Sequence, residues 1–199
     1  YSTSRIPNGL HHAIDQVLGA GWRQTQEVTQ TSAGFTPEFG VSVALDAAAA
    51  MVGAQQQKVG DNEDQGAVFV FDNINGTWTM TQEITATDGG AGDTFGSSIA
   101  FDGTTAVIGA YGAMIDAAPL GAAYVFTLAD GTWTQTQKLT ADDSNPAGLL
   151  NFGFSVGLSG STILVGADAA TFGANDFQGA VYVFNETGGT WTQTQKFSG

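Results

Sequence analysis

One stretch of about fifty residues occurs three times in this 199-residue chain, and nothing else in the sequence restricts the fold as strongly. The clearest copy runs from Phe95 to Thr140. It opens as Phe95-Gly96-Ser97-Ser98-Ile99-Ala100-Phe101, turns at Asp102-Gly103 and returns as Ala106-Val107-Ile108-Gly109-Ala110. A variable loop leads to Gly121-Ala122-Ala123-Tyr124-Val125-Phe126, and the copy closes on Trp133-Thr134-Gln135-Thr136-Gln137-Lys138-Leu139-Thr140. The other copies open at Phe39-Gly40 and Phe152-Gly153, so the opening phenylalanines lie 56 and 57 residues apart. Trp22, Trp78, Trp133 and Trp191 recur at intervals of 56, 55 and 58.

Each unit reads as four short strands. Val, Ile, Thr, Tyr and Phe dominate runs of five to eight residues, punctuated by Gly, Asp and Asn. Asp102-Gly103 sits between two apolar runs and predicts a hairpin with a type I′ turn, which needs positive φ at both central residues. Ser159-Gly160 takes that place in the third copy, and Asp46 followed by Ala47 to Ala50 takes it in the first. The fourth strand alternates with period two. Trp133, Gln135, Gln137 and Leu139 face one way, and Thr134, Thr136, Lys138 and Thr140 the other. The two central strands are nearly continuous apolar runs, as expected of strands covered on both faces. Repeated four-stranded antiparallel units of this size are the blades of an all-β propeller.

The Phe-Gly opening, the Gly-Ala after the second strand (Gly53-Ala54, Gly109-Ala110, Gly166-Ala167) and the Gly-Ala-x-Tyr/Phe-Val-Phe run together resemble the FG-GAP repeat. That repeat builds the seven-bladed propeller of integrin α subunits and occurs in many bacterial extracellular proteins. The resemblance covers roughly residues 22–197 and implies an extracellular, adhesion-type propeller. One departure matters. The integrin-type repeat often carries an Asp-x-Asp-x-Asp-Gly calcium loop between its first two strands, where this chain has a tight turn or an alanine run. The usual calcium site is therefore not carried over, and the chain looks like a bacterial-type variant without it.

Composition narrows the function classes. Five basic against nineteen acidic residues give a net charge of −14 and a pI near 4.1. Such a surface repels phosphate backbones, which argues against a nucleic-acid partner. It also suits a secreted protein of a salty environment. There is no cysteine, so neither a disulfide nor a cysteine-ligated metal is available. No apolar run approaches eighteen residues, so no membrane span is expected. A start at Tyr1 suggests a processed chain or an excised piece.

Along the chain, residues 1–21 form an N-terminal arm in which 10–18 reads as a short helix or a degenerate strand. His11 and His12 lie there without a further ligand set. Trp22 to Gln30 is a fourth-type strand with no complete blade before it. Blades follow at about 39–85, 95–140 and 152–197, within a propeller segment spanning 22–199. Three blades plus one strand fall short of the four needed for the smallest ring. Unclosed blade faces and edges must be covered, by a second copy, by stacking into a filament or by more of a longer polypeptide. In the first two cases Trp22, Gln24, Gln26 and Val28 make a natural strand to add to a neighbour's sheet.

Gly60-Asp61-Asn62-Glu63-Asp64-Gln65-Gly66 is the longest acidic loop. Asp61, Asn62, Glu63 and Asp64 are oxygen ligands that could hold calcium. A plain solvated loop is the competing reading, since the loops at 111–121 and 168–179 do not repeat the pattern. Asp88 with Asp93, and Asp142 with Asp143 and Asn145, lie in the loops leading into the next blade, where a calcium or sugar contact is the functional reading. Gln26, Gln82, Gln137 and Gln195 recur in every copy, which argues for a structural role such as bonding a blade's own backbone. The four tryptophans are expected between blades. Asn75-Gly76-Thr77 and Asn185-Glu186-Thr187 match the glycosylation pattern and are placed in hairpin turns. No cofactor is implied. No nucleophile elbow, phosphate loop or environment separating two carboxylate pKa values stands out, so a non-enzymatic role is expected.

The leading functional expectation is an extracellular structural or adhesion protein that self-associates through its open propeller ends, including into fibres. A lectin-like or ligand-binding module, touching a glycan or a cell-surface protein, and an accessory piece of a larger secreted protein are the alternatives.

Overall fold

The computed structural model describes residues 24–28, 38–46, 48–142, 150–171 and 177–198. The expectations for the arm at 1–21, for Trp22 and for Asp143 and Asn145 lie outside these residues. Every named element is a β-strand. The first blade comprises β1 (Val43–Leu45), β2 (Ala49–Ala54), β3 (Ala67–Ile74) and β4 (Thr77–Ile84). The second comprises β5 (Ser98–Phe101), β6 (Thr105–Ala110), β9 (Ala122–Ala129) and β10 (Thr132–Leu139). A small hairpin, β7 (Met114–Ile115) with β8 (Ala118–Pro119), decorates its variable loop. The third comprises β11 (Phe152–Ser159), β12 (Thr162–Ala167), β13 (Ala180–Thr187) and β14 (Thr190–Ser198). In each blade the four strands pair antiparallel in chain order, with the Trp-bearing strand on one edge.

The central strands are buried on both faces, as their apolar runs require. Ala106, Val107, Ile108 and Ala110 of β6 are wholly inaccessible to solvent. Residues of odd and even parity serve different neighbours. Met51, Val68, Val70 and Ile84 of the first blade meet Ala106, Ile108, Tyr124 and Phe126 of the second in one cluster. Val107, Ala123, Val125 and Leu139 meet Phe152, Ile163, Val165 and Tyr182 of the third in another. Each large aliphatic side chain sealed this way contributes about 1.5–3 kcal/mol relative to exposure. The tryptophans join in. Trp133 is buried edge-on to Phe101, with ring centroids 6.2 Å apart, and Trp191 is buried in the second cluster.

The turns refine the sequence reading. Type I′ geometry belongs to the outer hairpins, where both central residues have positive φ: Asn75-Gly76, Asp130-Gly131 and Gly188-Gly189. Between the first two strands only Gly103 and Gly160 have positive φ, the pattern of a type II′ turn centred one residue later than expected. The aspartate precedes that turn and clamps it, since Thr104 and Thr105 donate their N–H groups to Asp102 Oδ1. Asp46 does the same for Ala48 and Ala49, so the alanine run turns by the same device. The outer strands also hold a bulge that alternation does not reveal. Register slips at Thr81, Thr136 and Thr194, and each threonine hydroxyl donates to the carbonyl of Val70, Val125 or Val183.

Candidate functional site

The joints between blades are the most specifically built feature of the molecule. The bulge sits beside a glutamine that reaches across to the next blade. Gln82 donates Nε2 to the Trp133 carbonyl at 2.8 Å, and the Trp133 N–H donates back to Gln82 Oε1 at 2.9 Å. Gln137 pairs with the Trp191 backbone in the same way, at 2.7 and 2.9 Å. Gln26 does so with Trp78, at 2.7 and 2.8 Å. A primary amide carries one donor and one acceptor at the spacing of a backbone N–H and C=O, so it completes an edge that has no further strand. The recurrent glutamines are thus structural, but they bond the next blade and not their own.

The inner strands meet through a second device. Ser42 donates its hydroxyl to the Gly96 carbonyl at 2.6 Å, and Ser98 to that of Gly153 at 2.8 Å. The carbonyl approaches so closely that the facing residue must be glycine. A Cβ on Gly53 would lie 2.1 Å from Gly96 O, and one on Gly109 would lie 2.0 Å from Gly153 O. A third contact differs between joints. Gln135 and Gln193 accept from the N–H groups of Thr87 and Asp142 in the preceding linker, whereas Met80 occupies that place in the first blade.

The third blade carries this equipment on a face with nothing against it. Gln195 is exposed and makes no side-chain hydrogen bond among the described residues, nor does Ser155. A Cβ on Gly166, the counterpart of Gly53 and Gly109, would meet only the Ser155 hydroxyl at short range. Leu164 and Phe197 are 43% and 56% exposed, while their counterparts Val107 and Leu139 are 0% and 2%. Gly166, Gly179, Val181 and Phe197 border a groove of about 520 Å³ there. The opposite end of the array is open too. Val43 and Leu45 are each 69% exposed, though their counterparts Ile99 and Phe101 pack on a core.

Of the residues expected to add to a neighbour's sheet, Gln26 and Val28 bind their own first blade. Gln26 holds Trp78, and Val28 packs beside Phe39, Phe69 and Phe71. Gln24 is exposed, and residues 24–28 carry no strand pairing.

The acidic loop is a connector. Glu63, Asp64 and Gln65 offer their carbonyls to the N–H groups of Gly92, Thr94 and Phe95, on the path into the second blade. Glu63 pairs with Lys58, and Asn62 turns its amide to Gln65 and the Gly89 carbonyl. Asp61 and Asp64 point to solvent. Among the described residues no three His, Cys, Asp or Glu side chains converge as a metal site. Asp93 is buried, accepts from the Gly90 N–H at 2.8 Å and thereby braces its own turn. Asn185 lies within β13 and not in a turn, with its amide bonded to Thr162 and Thr194.

Asp88 joins two blades by pairing with Lys138 at 2.7 Å, and that ammonium lies 5.3 Å from the centre of the Tyr124 ring. Burial pulls the Asp88 carboxyl up, but the Lys138 hydrogen bond and charge outweigh it and hold the group below the ordinary 3.8. Its stabilisation is present above that value and is lost as pH falls through the lowered one. The pair is part-exposed, so its contribution is small. The Tyr124 hydroxyl is buried without a hydrogen-bond partner, and burial together with the Asp88 and Asp93 charges pushes its ionisation far above the ordinary 10.0. As pH rises past 10.0 the unfolded phenol ionises while the folded one resists, so the folded state binds more protons and stability falls. Tyr124→Phe is expected to fold with stability equal to or up to about 1 kcal/mol above wild type, because an unsatisfied hydroxyl is removed. It should also lose less stability above pH 10, as denaturant melts across pH would record. The first blade already carries Phe69 at this position.

No helix among the described residues is long and apolar enough to cross a membrane. A family model described as FG-GAP repeat matches residues 22–71, 78–126 and 133–184. Each match begins at the tryptophan of one outer strand and ends in the third strand of the following blade, so the matched unit straddles a joint. No curated protein matches the sequence.

Proposed function

The chain belongs to the FG-GAP repeat family, and from that premise we propose that it is a non-enzymatic extracellular structural or adhesion protein that self-associates through the open ends of its blade array. One observation carries the reading. Side chains that are sealed wherever two blades meet, such as Val107 and Leu139, have exposed counterparts in Leu164 and Phe197. Sheet faces of this kind in repeat proteins need either polar caps or a partner, and this one is apolar. The extracellular assignment draws on the family, whose repeats are typical of extracellular proteins, and on the cysteine-free, strongly acidic composition. A non-enzymatic role is supported by the absence of cysteine and by a histidine complement limited to His11 and His12. A lectin-like role would call for an exposed aromatic platform, whereas Trp133 and Trp191 are buried.

Light scattering of the purified chain over a wide concentration range, with electron microscopy of the same samples, tests the proposal. Rings or filaments whose mass grows with concentration are expected. A monomer at every concentration would overturn it.

A further inference from the structure

Self-association by itself leaves the geometry of the contact open, and the repeat supplies it. Resting on the self-association reading, we infer that copies join head to tail: the free face of the third blade receives the Phe39–Gly40 edge of a second copy's first blade, in the register of the two internal joints.

Three observations converge on this register. The first is the hydroxyl contact. Ser42 and Ser98 each find the carbonyl of the next copy's Phe-Gly glycine, while Ser155 finds none. Gly40 has the same left-handed backbone as Gly96 and Gly153, with φ of 94°, 90° and 93°. No serine hydroxyl reaches its carbonyl among the described residues. The second is steric. Gly53 and Gly109 leave room for the incoming carbonyl, and Gly166 leaves the same room unfilled. The third is the amide clamp. Gln82 and Gln137 hold the backbone of the next outer strand, and Gln195 stands at that position with nothing to hold. Around these polar contacts, exposed Leu164, Val181 and Phe197 on one face would meet exposed Val43 and Leu45 on the other.

The two surfaces differ, so the contact is heterologous. Such a contact closes into a ring if the rotation permits and otherwise propagates as a filament. It does not pair like with like.

Two variants, each blocked on one face, test the inference. Ser155→Ala with Gly166→Ala adds a methyl where the incoming carbonyl would sit and removes the one atom which that methyl meets in the isolated chain. Leu45→Asp places a charge on the opposite face at a solvent-exposed position. Phe197→Asp serves as a second block of the third blade, and thermal melts of dilute samples check that all three fold. In sedimentation velocity each variant alone is expected to stay monomeric, and an equimolar mixture of the two opposite blocks is expected to give a one-to-one dimer through the one intact joint. If wild type assembles but a singly blocked variant still forms its own dimer, or the mixture stays monomeric, the head-to-tail register is wrong while self-association stands. A wild type that remains monomeric overturns both.

Discussion

Gly109→Ala is expected to lower the stability of the chain by about 3 kcal/mol, because the added methyl would overlap a backbone carbonyl that cannot rotate away. Its Cβ would lie 2.0 Å from Gly153 O and 2.3 Å from the Ser98 hydroxyl. The serine can turn, but the carbonyl is held by the strand behind it, so β11 must back off from β6 and loosen a cluster containing Val107, Phe152 and Val165. For a chain of this length the melting temperature should fall by roughly 6–12 °C, measured by circular dichroism. Gly166→Ala is the internal control. It makes the same chemical change at the same place in a blade, yet meets only a side-chain hydroxyl. In dilute, dissociated protein its melting point should move by no more than about 2 °C, equivalent to ~0.5 kcal/mol. Equal losses at both positions would mean that the cost lies within the strand and not in the joint.

Gln137→Ala is expected to cost about 2 kcal/mol, the scale for stranding backbone groups away from both partner and water. It removes the amide that serves both the N–H and the C=O of Trp191, beside a buried indole. Amide hydrogen exchange at Trp191 should accelerate more than at residues of β13, since the damage is confined to the outer edge. Gln137→Glu is expected to do no better. It keeps an acceptor for the N–H but sets a carboxylate against the Trp191 carbonyl. Gln195→Ala should leave the stability of the dispersed chain unchanged, because that amide has no partner within it. A loss at Gln195 equal to that at Gln137 would show that the glutamine works inside its own blade.

Much of this architecture was legible in the residues. The repeat spacing marked the three units, and alternation along Trp133, Gln135, Gln137 and Leu139 gave the correct inward face of the outer strand. Other features were hidden for identifiable reasons. Asp102-Gly103 has the composition of a type I′ turn, but the aspartate is drawn off to accept two N–H groups, and the turn centre moves to Gly103. The bulges at Thr81, Thr136 and Thr194 leave the burial alternation intact, so no pattern of apolar residues could disclose them. The acidic loop drew attention as a set of calcium ligands, yet the groups it uses are main-chain carbonyls, which composition does not display.

By itself the sequence determined the class, the blade boundaries and the residues that matter at a joint, because these depend on short-range periodicity and on recurrence at a fixed spacing. Tertiary structure alone decided what those residues touch. Gln82 and Trp133 are 51 residues apart, and Ser98 and Gly153 are 55 apart. No local rule says whether such an amide or hydroxyl meets its own sheet or the next one. That choice is made when two sheets pack, because only then does an outer strand gain an edge to complete and a glycine gain a carbonyl to admit.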